Sequence, residues 1–167
     1  KTRKPWMEID AFAFAANTAD VYYKIRKIPA NAADLFKLLG LDFNGDLADF
    51  SALHVGFANS PISLNKNRLL ARFDTNDGYG WLTFDINQVA AADKNLFNFP
   101  LLKSPSGKAN FRSDASEMIF SIANGLQAFV LFNNFGIRQN AAPTDVVTDN
   151  VSPFSPEIKN SLSCYRC

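Results

Sequence analysis

The sequence has very little of the residues that bind metals or act as nucleophiles. Its 167 residues include one histidine, His54, and two cysteines, Cys164 and Cys167. A single histidine that lies far from both cysteines in the sequence does not make a typical four-ligand zinc site. We therefore interpret His54 as a structural residue of a loop or of the core, and not as a ligand.

The chain also lacks an excess of charge and long apolar runs. Its net charge of +1 at pH 7 is too small to indicate binding to nucleic acid or to an anionic membrane. No apolar run has the length that a transmembrane helix needs, and no signal peptide is recognisable. The chain opens with KTRKPW and without an initiator Met, so we expect that both of its ends have been processed or trimmed.

Motifs that identify common enzyme classes are absent from the sequence. It has no nucleophile elbow and no glycine-rich phosphate loop. The stretch DTNDGYG, residues 74–80, resembles a calcium loop but lacks the closing Glu of an EF-hand, and we interpret it as a hairpin turn. The sequence leaves the enzyme question open and favours a protein that is not an enzyme, so we assign no catalytic residue.

What the chain does have is aromatic and branched apolar residues, including 16 Phe. This composition and the length favour one domain with an aromatic-rich core, and we place it at 1–150. We predict an α+β fold with an antiparallel sheet and with helices mainly in the N-terminal third. The sheet strands are predicted at 68–74, 79–86, 117–123 and 126–133, with a further short strand at 137–140.

Turn and cap residues locate the other elements. The strands are joined by turns at Asn76-Asp77 and Asn124-Gly125, the second of which is a strong hairpin signal. The strongest helix pattern covers 32–39. Asn31 caps this helix and Gly40 ends it, and we predict that it packs on the sheet. In the N-terminal part we predict an early strand around Ile9, Phe12 and Phe14, a helix that begins at a Thr18 cap, and a short helix after an Asn44-Gly45 turn. We predict loops at 54–63 and 101–114, and an extended linker over 151–167.

Three charged residues lie next to strongly apolar runs: Arg68, Asp85 and Glu117. An unpaired ion in an apolar environment is costly. We therefore predict that these side chains are structural and not catalytic, and that they pair with one another or with backbone groups.

Both cysteines lie in the last four residues, in the stretch SCYRC. A Cys-x-x-Cys pair can be a redox pair, half of a zinc site, or the front of a Cys-x-x-Cys-His motif. A thioredoxin-like pair opens a helix after a strand, whereas this pair follows a proline-containing segment. A zinc site lacks its second pair here. In Cys-x-x-Cys-His the two thiols form thioethers to haem and the histidine ligates the iron, although that histidine is not in the sequence.

Several stretches, taken in order, resemble a family of bacterial periplasmic proteins that carry a c-type cytochrome domain. The matching stretches are NKNRLLARFD (65–74), GYGWLTFDI (78–86), NLFNFPL (95–101), EMIFSIANGLQAFVL (117–131), GIRQNAAPTDVVTD (136–149) and NSLSCYRC (160–167). The chain departs from the family pattern at Phe73 and Ser113, where the family often has His. If those histidines bind a ligand or a second haem, this chain lacks that function.

The resemblance implies export to the periplasm, covalent haem c on Cys164 and Cys167, and electron transfer to a redox partner or a downstream cytochrome domain. The alternative is a non-catalytic binding or structural module in which the cysteines carry no haem. A third possibility is an enzyme that uses a pocket in the aromatic core. If no histidine follows Cys167, we expect the two thiols to be mobile at a free end.

Overall fold

A computed structural model describes residues 21–49, 51–87, 113–150 and 155–166. The described residues form one six-stranded antiparallel sheet in which the strands follow each other in chain order. The strands are β1 (Leu53–Phe57), β2 (Arg68–Thr75), β3 (Gly78–Phe84), β4 (Ala115–Ser121), β5 (Gln127–Asn133) and β6 (Arg138–Gln139). The helices are short: α1 (Tyr23–Arg26), α2 (Ala32–Leu39), α3 (Phe43–Ala48) and α4 (Leu162–Arg166).

The two central hairpins form where turn residues interrupt runs of branched and aromatic residues. β2 and β3 pair from Leu69–Phe84 to Thr75–Gly78, which places the turn at Asn76-Asp77. β4 and β5 pair from Ala115–Asn133 to Ser121–Gln127, and Gly125 in their turn has a φ of +79°, which favours glycine. The predicted antiparallel sheet and both turns are therefore confirmed, as is a short strand after Gly136.

Helix α2 also forms as its caps predict. The Asn31 side chain accepts a hydrogen bond of 2.9 Å from the Asp34 backbone N–H, and Gly40 ends the helix in the left-handed conformation with a φ of +72°. Leu35 and Leu39 are buried in the same apolar cluster as the sheet residues Phe73, Leu82 and Met118. The predicted packing of this helix on the sheet is confirmed.

The register of the sheet separates its two faces. Directly paired residues share a face, so one row on the helix side runs through Ala71, Leu82, Met118 and Val130. All four side chains are buried. On the opposite face Glu117 pairs with Leu131. There a second apolar cluster joins Ala115 and Leu131 to Ala142, Val146 and Val147 of the later chain. At β4 and β5 the sheet is thus covered on both faces.

Other predictions about the fold need correction. Strands dominate the described residues and the helices are few and short, so the structure is mostly β and not clearly an α+β fold with helices gathered in the N-terminal third. Residues 54–57, predicted as part of the loop at 54–63, lie in β1, which forms because 53–57 pair with β2. Asn44 and Gly45 lie inside α3 and not in a turn before it. The predictions at Ile9 to Thr18 and for most of 101–114 lie outside the described residues.

Candidate functional site

The sheet face opposite α2 carries a cavity with a volume of about 790 Å³. Its walls come from β2, β4 and β5, from the loop at Pro61 and Ile62, and from the later chain at 139–150 and 158–164. Most of the lining is apolar, and the charged lining residues are Arg68, Asp85, Glu117 and Asp149. The three charged residues that the sequence analysis singled out therefore meet in one place.

Arg68 and Asp85 form a buried, two-pronged ion pair. The Nε and Nη2 atoms of Arg68 donate to the two carboxylate oxygens of Asp85 at 2.8 and 2.7 Å. Burial opposes the charge on Arg68, but the adjacent carboxylate outweighs it and holds the pKa of Arg68 above its ordinary value. Thr83 Oγ1 lies 3.3 Å from Asp85 Oδ2 as a further donor. The predicted pairing is confirmed for these two residues, while their purely structural role stays a prediction.

Glu117 has a different partner, which the sequence analysis missed. The Cys164 thiol donates a hydrogen bond to Glu117 Oε1 across 2.8 Å. Burial raises the pKa of Glu117, and nearby Asp85 adds to this, whereas the Cys164 hydrogen bond and Arg68 act in the opposite direction. The Glu117 backbone N–H donates to Thr83 Oγ1 at 3.0 Å, so Thr83 connects Glu117 to the ion pair. The site therefore contains a carboxyl group with a raised pKa that is hydrogen-bonded to a thiol.

Backbone pairing brings Cys164 to this site. Ala142 N–H donates to Ile158 C=O at 2.9 Å, and Asn160 N–H donates to Asn140 C=O at 2.8 Å. These bonds align the chain after residue 157 with the chain that follows β6. Ser161 then takes a left-handed conformation with a φ of +61°, and α4 begins at Leu162. Cys164 lies in this helix, half-buried against the core.

Asn160 fixes the same segment to the edge of the sheet. β6 pairs only with Leu131 and Phe132 of β5, so the Phe129 backbone groups lie beyond the end of β6. The fully buried Asn160 side chain donates to Phe129 C=O at 3.1 Å, and the Phe129 N–H donates to the Tyr22 hydroxyl at 2.8 Å. Two side chains thus replace the missing strand partner, which buried backbone groups require.

The described part of the 151–167 segment is therefore not the extended linker that the sequence analysis predicted. Residues 158–160 are paired with the chain after β6, Cys164 packs against the core, and the Cys164 thiol is held by Glu117 rather than mobile at a free end. Proline and low periodicity suggested a linker, but burial of Asn160 and Ser161 holds the segment in place. The domain boundary at residue 150 stays a prediction. Cys167 lies outside the described residues.

Tyr23 stabilises the neighbouring edge of the sheet. Its hydroxyl donates to Gln139 C=O at 2.6 Å, and the Arg138 guanidinium lies 3.9 Å from the centre of its ring. Burial raises the pKa of Tyr23 to about 12, with Arg138 acting against the rise and Cys164 adding to it. Tyr23 therefore stays protonated near neutral pH and does not act as a base there.

Histidine does not contribute to the cavity. His54 lies in β1 opposite Ala71, and burial lowers its pKa. The described residues that line the cavity include neither His nor Met, and the same parts of the chain contain no group of three His, Cys, Asp or Glu residues that could hold a metal ion. At the two positions where the family often has His, Phe73 is buried against Phe43, and the Ser113 and Ser116 hydroxyls share a 2.9 Å hydrogen bond.

Comparisons with protein-family models, with curated proteins and with solved structures give no match to this chain. Within the described parts of the chain, no helix is long and apolar enough to cross a membrane.

Proposed function

We propose that this chain belongs to a periplasmic protein related to c-type cytochromes, in which Cys164 and Cys167 attach haem c. In this proposal the domain is the scaffold that holds the attachment segment, and electrons pass to a redox partner or to a downstream cytochrome domain. The proposal rests on the sequence resemblance and on one structural observation, which is the firm docking of Cys164 on the sheet.

That docking suits a scaffold because an electron-transfer group needs a fixed position. Asn160 anchors the segment to β5 through the Phe129 carbonyl, and Glu117 holds the thiol itself. Functional groups supported by sheets and packed side chains are held more rigidly than groups on loops. In the proposed function, Asn160 is therefore a positioning residue for the attachment segment, and Glu117 positions the Cys164 thiol before haem is attached.

The described residues fit one half of a haem c site. The half-buried Cys164 thiol beside an apolar cavity is chemically suited to form a thioether. Among the described residues that line the cavity there is no His or Met to ligate iron, so the proposal needs an iron ligand from elsewhere. Haem would supply one-electron transfer, and this chain would supply attachment at Cys164, a fixed segment and an apolar surrounding.

The test is the intact mass and the haemochrome spectrum of the denatured protein. The chain is exported to the periplasm of cells with a cytochrome c maturation system, both as it stands and with a histidine added after Cys167. The proposal expects covalent haem in the histidine-extended chain, its loss in the double variant Cys164→Ala, Cys167→Ala, and its retention in the neighbouring control Ser163→Ala. An unmodified mass for the histidine-extended chain would refute the proposal.

The alternative function is a structural module whose cysteines carry no haem, and one observation favours it. The hydrogen bond to Glu117 needs the S–H group of Cys164, and a thioether has no such proton. In the alternative the thiol is therefore part of the packing that closes the sheet. The same mass measurement separates the two, because the alternative expects no haem on either chain.

A further inference from the structure

The cavity beside Glu117 has the dimensions and lining of a small-molecule site. Its volume of about 790 Å³ lies inside the range of roughly 300–1,000 Å³ that is typical of ligand pockets. Its apolar wall includes Ile119, Phe129, Leu131, Ala142, Val147 and Ile158. A molecule with an apolar body would bury its surface against this wall, which favours binding.

The charged groups around the cavity argue against an anionic ligand. Arg68 is the cation in the lining, and its Nε and Nη2 already donate to Asp85. The lining also contains the carboxyl groups of Asp85, Glu117 and Asp149. A carboxylate or phosphate ligand would therefore meet carboxyl groups, while the charge of Arg68 is already balanced by Asp85.

Glu117 is the polar group best placed to orient a ligand. Glu117 lines the cavity. Its Oε1 accepts a hydrogen bond from Cys164, and its second carboxyl oxygen can form a hydrogen bond with a ligand. The groups that act on this carboxyl are Cys164 of α4, Arg68 of β2 and Asp85, which follows β3. A ligand hydroxyl can donate to a carboxylate or accept from a carboxylic acid, so it suits Glu117 in either protonation state.

We propose that this cavity binds an uncharged, largely apolar molecule that carries a hydroxyl group, with the apolar body against Ile119, Phe129 and Leu131 and the hydroxyl on Glu117. The site does not depend on haem attachment. It is tested on protein made in the cytoplasm, where Cys164 stays unmodified, so its failure would leave the haem proposal untouched.

Two probes with the same rings test the ligand class. Binding of 4-hydroxybiphenyl and of biphenyl-4-carboxylate to the 167-residue chain is measured by isothermal titration calorimetry. We expect saturable one-to-one binding of the hydroxyl compound, and binding of the carboxylate that is weaker by at least about tenfold, the equivalent of about 1.4 kcal/mol. Equal binding of both probes, or no saturable binding of the hydroxyl compound, would overturn the proposal.

Matched variants test the location. Gln127 is exposed and lines the cavity, whereas its neighbour Leu126 is exposed and does not. Gln127→Trp should obstruct the cavity and weaken binding by about tenfold or more, while Leu126→Trp should leave binding unchanged. Glu117→Gln keeps a hydrogen-bonding group and should retain most of the affinity, while Glu117→Leu should lose about three- to tenfold. Circular dichroism confirms the fold of each variant. Equal binding by the two Trp variants would place the probe elsewhere and refute the site.

Discussion

The ion pair between Arg68 and Asp85 should be among the most sensitive points in the fold. Both residues are buried, with exposures of 8% and 2%, and both charges are satisfied by the paired hydrogen bonds at 2.8 and 2.7 Å. Removing one partner of such a pair leaves a buried charge without compensation, which costs about 3–5 kcal/mol. We expect a cost of this size for Arg68→Met, which corresponds to a fall in Tm of about 6–20 °C for a chain of this length.

The two partners should not be equivalent, because Glu117 lies close to both. Arg68→Met leaves two neighbouring carboxyl groups with no cation between them. Asp85→Asn leaves Arg68 with the Glu117 carboxyl nearby and with one amide oxygen still able to accept. We therefore expect the smaller cost for Asp85→Asn, about 1.5–3 kcal/mol.

Urea denaturation followed by circular dichroism measures both costs. The single variant Asp85→Leu and the double variant Arg68→Met, Asp85→Leu complete a cycle with Arg68→Met. Because a well-packed apolar pair can replace a buried ion pair at little cost, the double variant should be less destabilised than the sum of its single variants by at least about 1 kcal/mol. A cost below about 1 kcal/mol for Arg68→Met, or simple additivity, would refute the reasoning that burial makes this pair interdependent.

Three further predictions concern the surroundings of the site. Because the pKa of Glu117 is raised in the folded protein, its contribution to stability should be lost as the pH rises from about 4.5 upward; Glu117→Gln should flatten this dependence in urea titrations across that range, and an unchanged slope would contradict it. Asn160→Leu should cost about 1–3 kcal/mol and speed the labelling of Cys164 by a thiol reagent, read by peptide mass mapping. Gly40→Ala should lower Tm more than Gly125→Ala, since both have positive φ but only at Gly40 must a neighbouring side chain, that of Asn76, move away from its contact with Leu38 C=O to make room for the added Cβ; equal Tm losses would contradict this.

The sequence predicts the parts of the fold that depend on neighbouring residues. The Asn31 cap and the Gly40 stop bound α2 without any distant contact, and the Asn124-Gly125 turn sets the register of the β4–β5 hairpin. Where a strand forms only because it pairs with a neighbouring strand, the local sequence pattern does not predict it. The stretch 54–63 reads as a loop around Pro61, but its first residues belong to β1 because they pair with β2, in a register from Leu53–Arg72 to Phe57–Arg68.

In the site, too, contacts that local sequence predicts differ from contacts that depend on distant parts of the chain. Arg68 and Asp85 lie 17 residues apart. Charge beside apolar runs predicts that they pair with each other, with Glu117 or with backbone groups, but does not predict which of these partners each one has. Glu117 and Cys164 are separated by 47 residues, and the sequence between them contains no pattern that brings them together. Their contact depends on the left-handed turn at Ser161 and on the burial of Asn160, neither of which the local sequence predicts.

The contact between Cys164 and Glu117 also links the two functional proposals to the chemistry of one proton. The thiol proton that Glu117 accepts is the proton that haem attachment would remove from sulfur. Because this hydrogen bond lowers the pKa of Glu117 against the effect of burial, its loss would leave the carboxyl less compensated and more readily protonated. A protonated carboxyl has a donor of its own to offer. Glu117, which holds the thiol in the unmodified chain, would then present a neutral hydrogen-bonding group to the apolar cavity. Such a group can still bind a ligand hydroxyl.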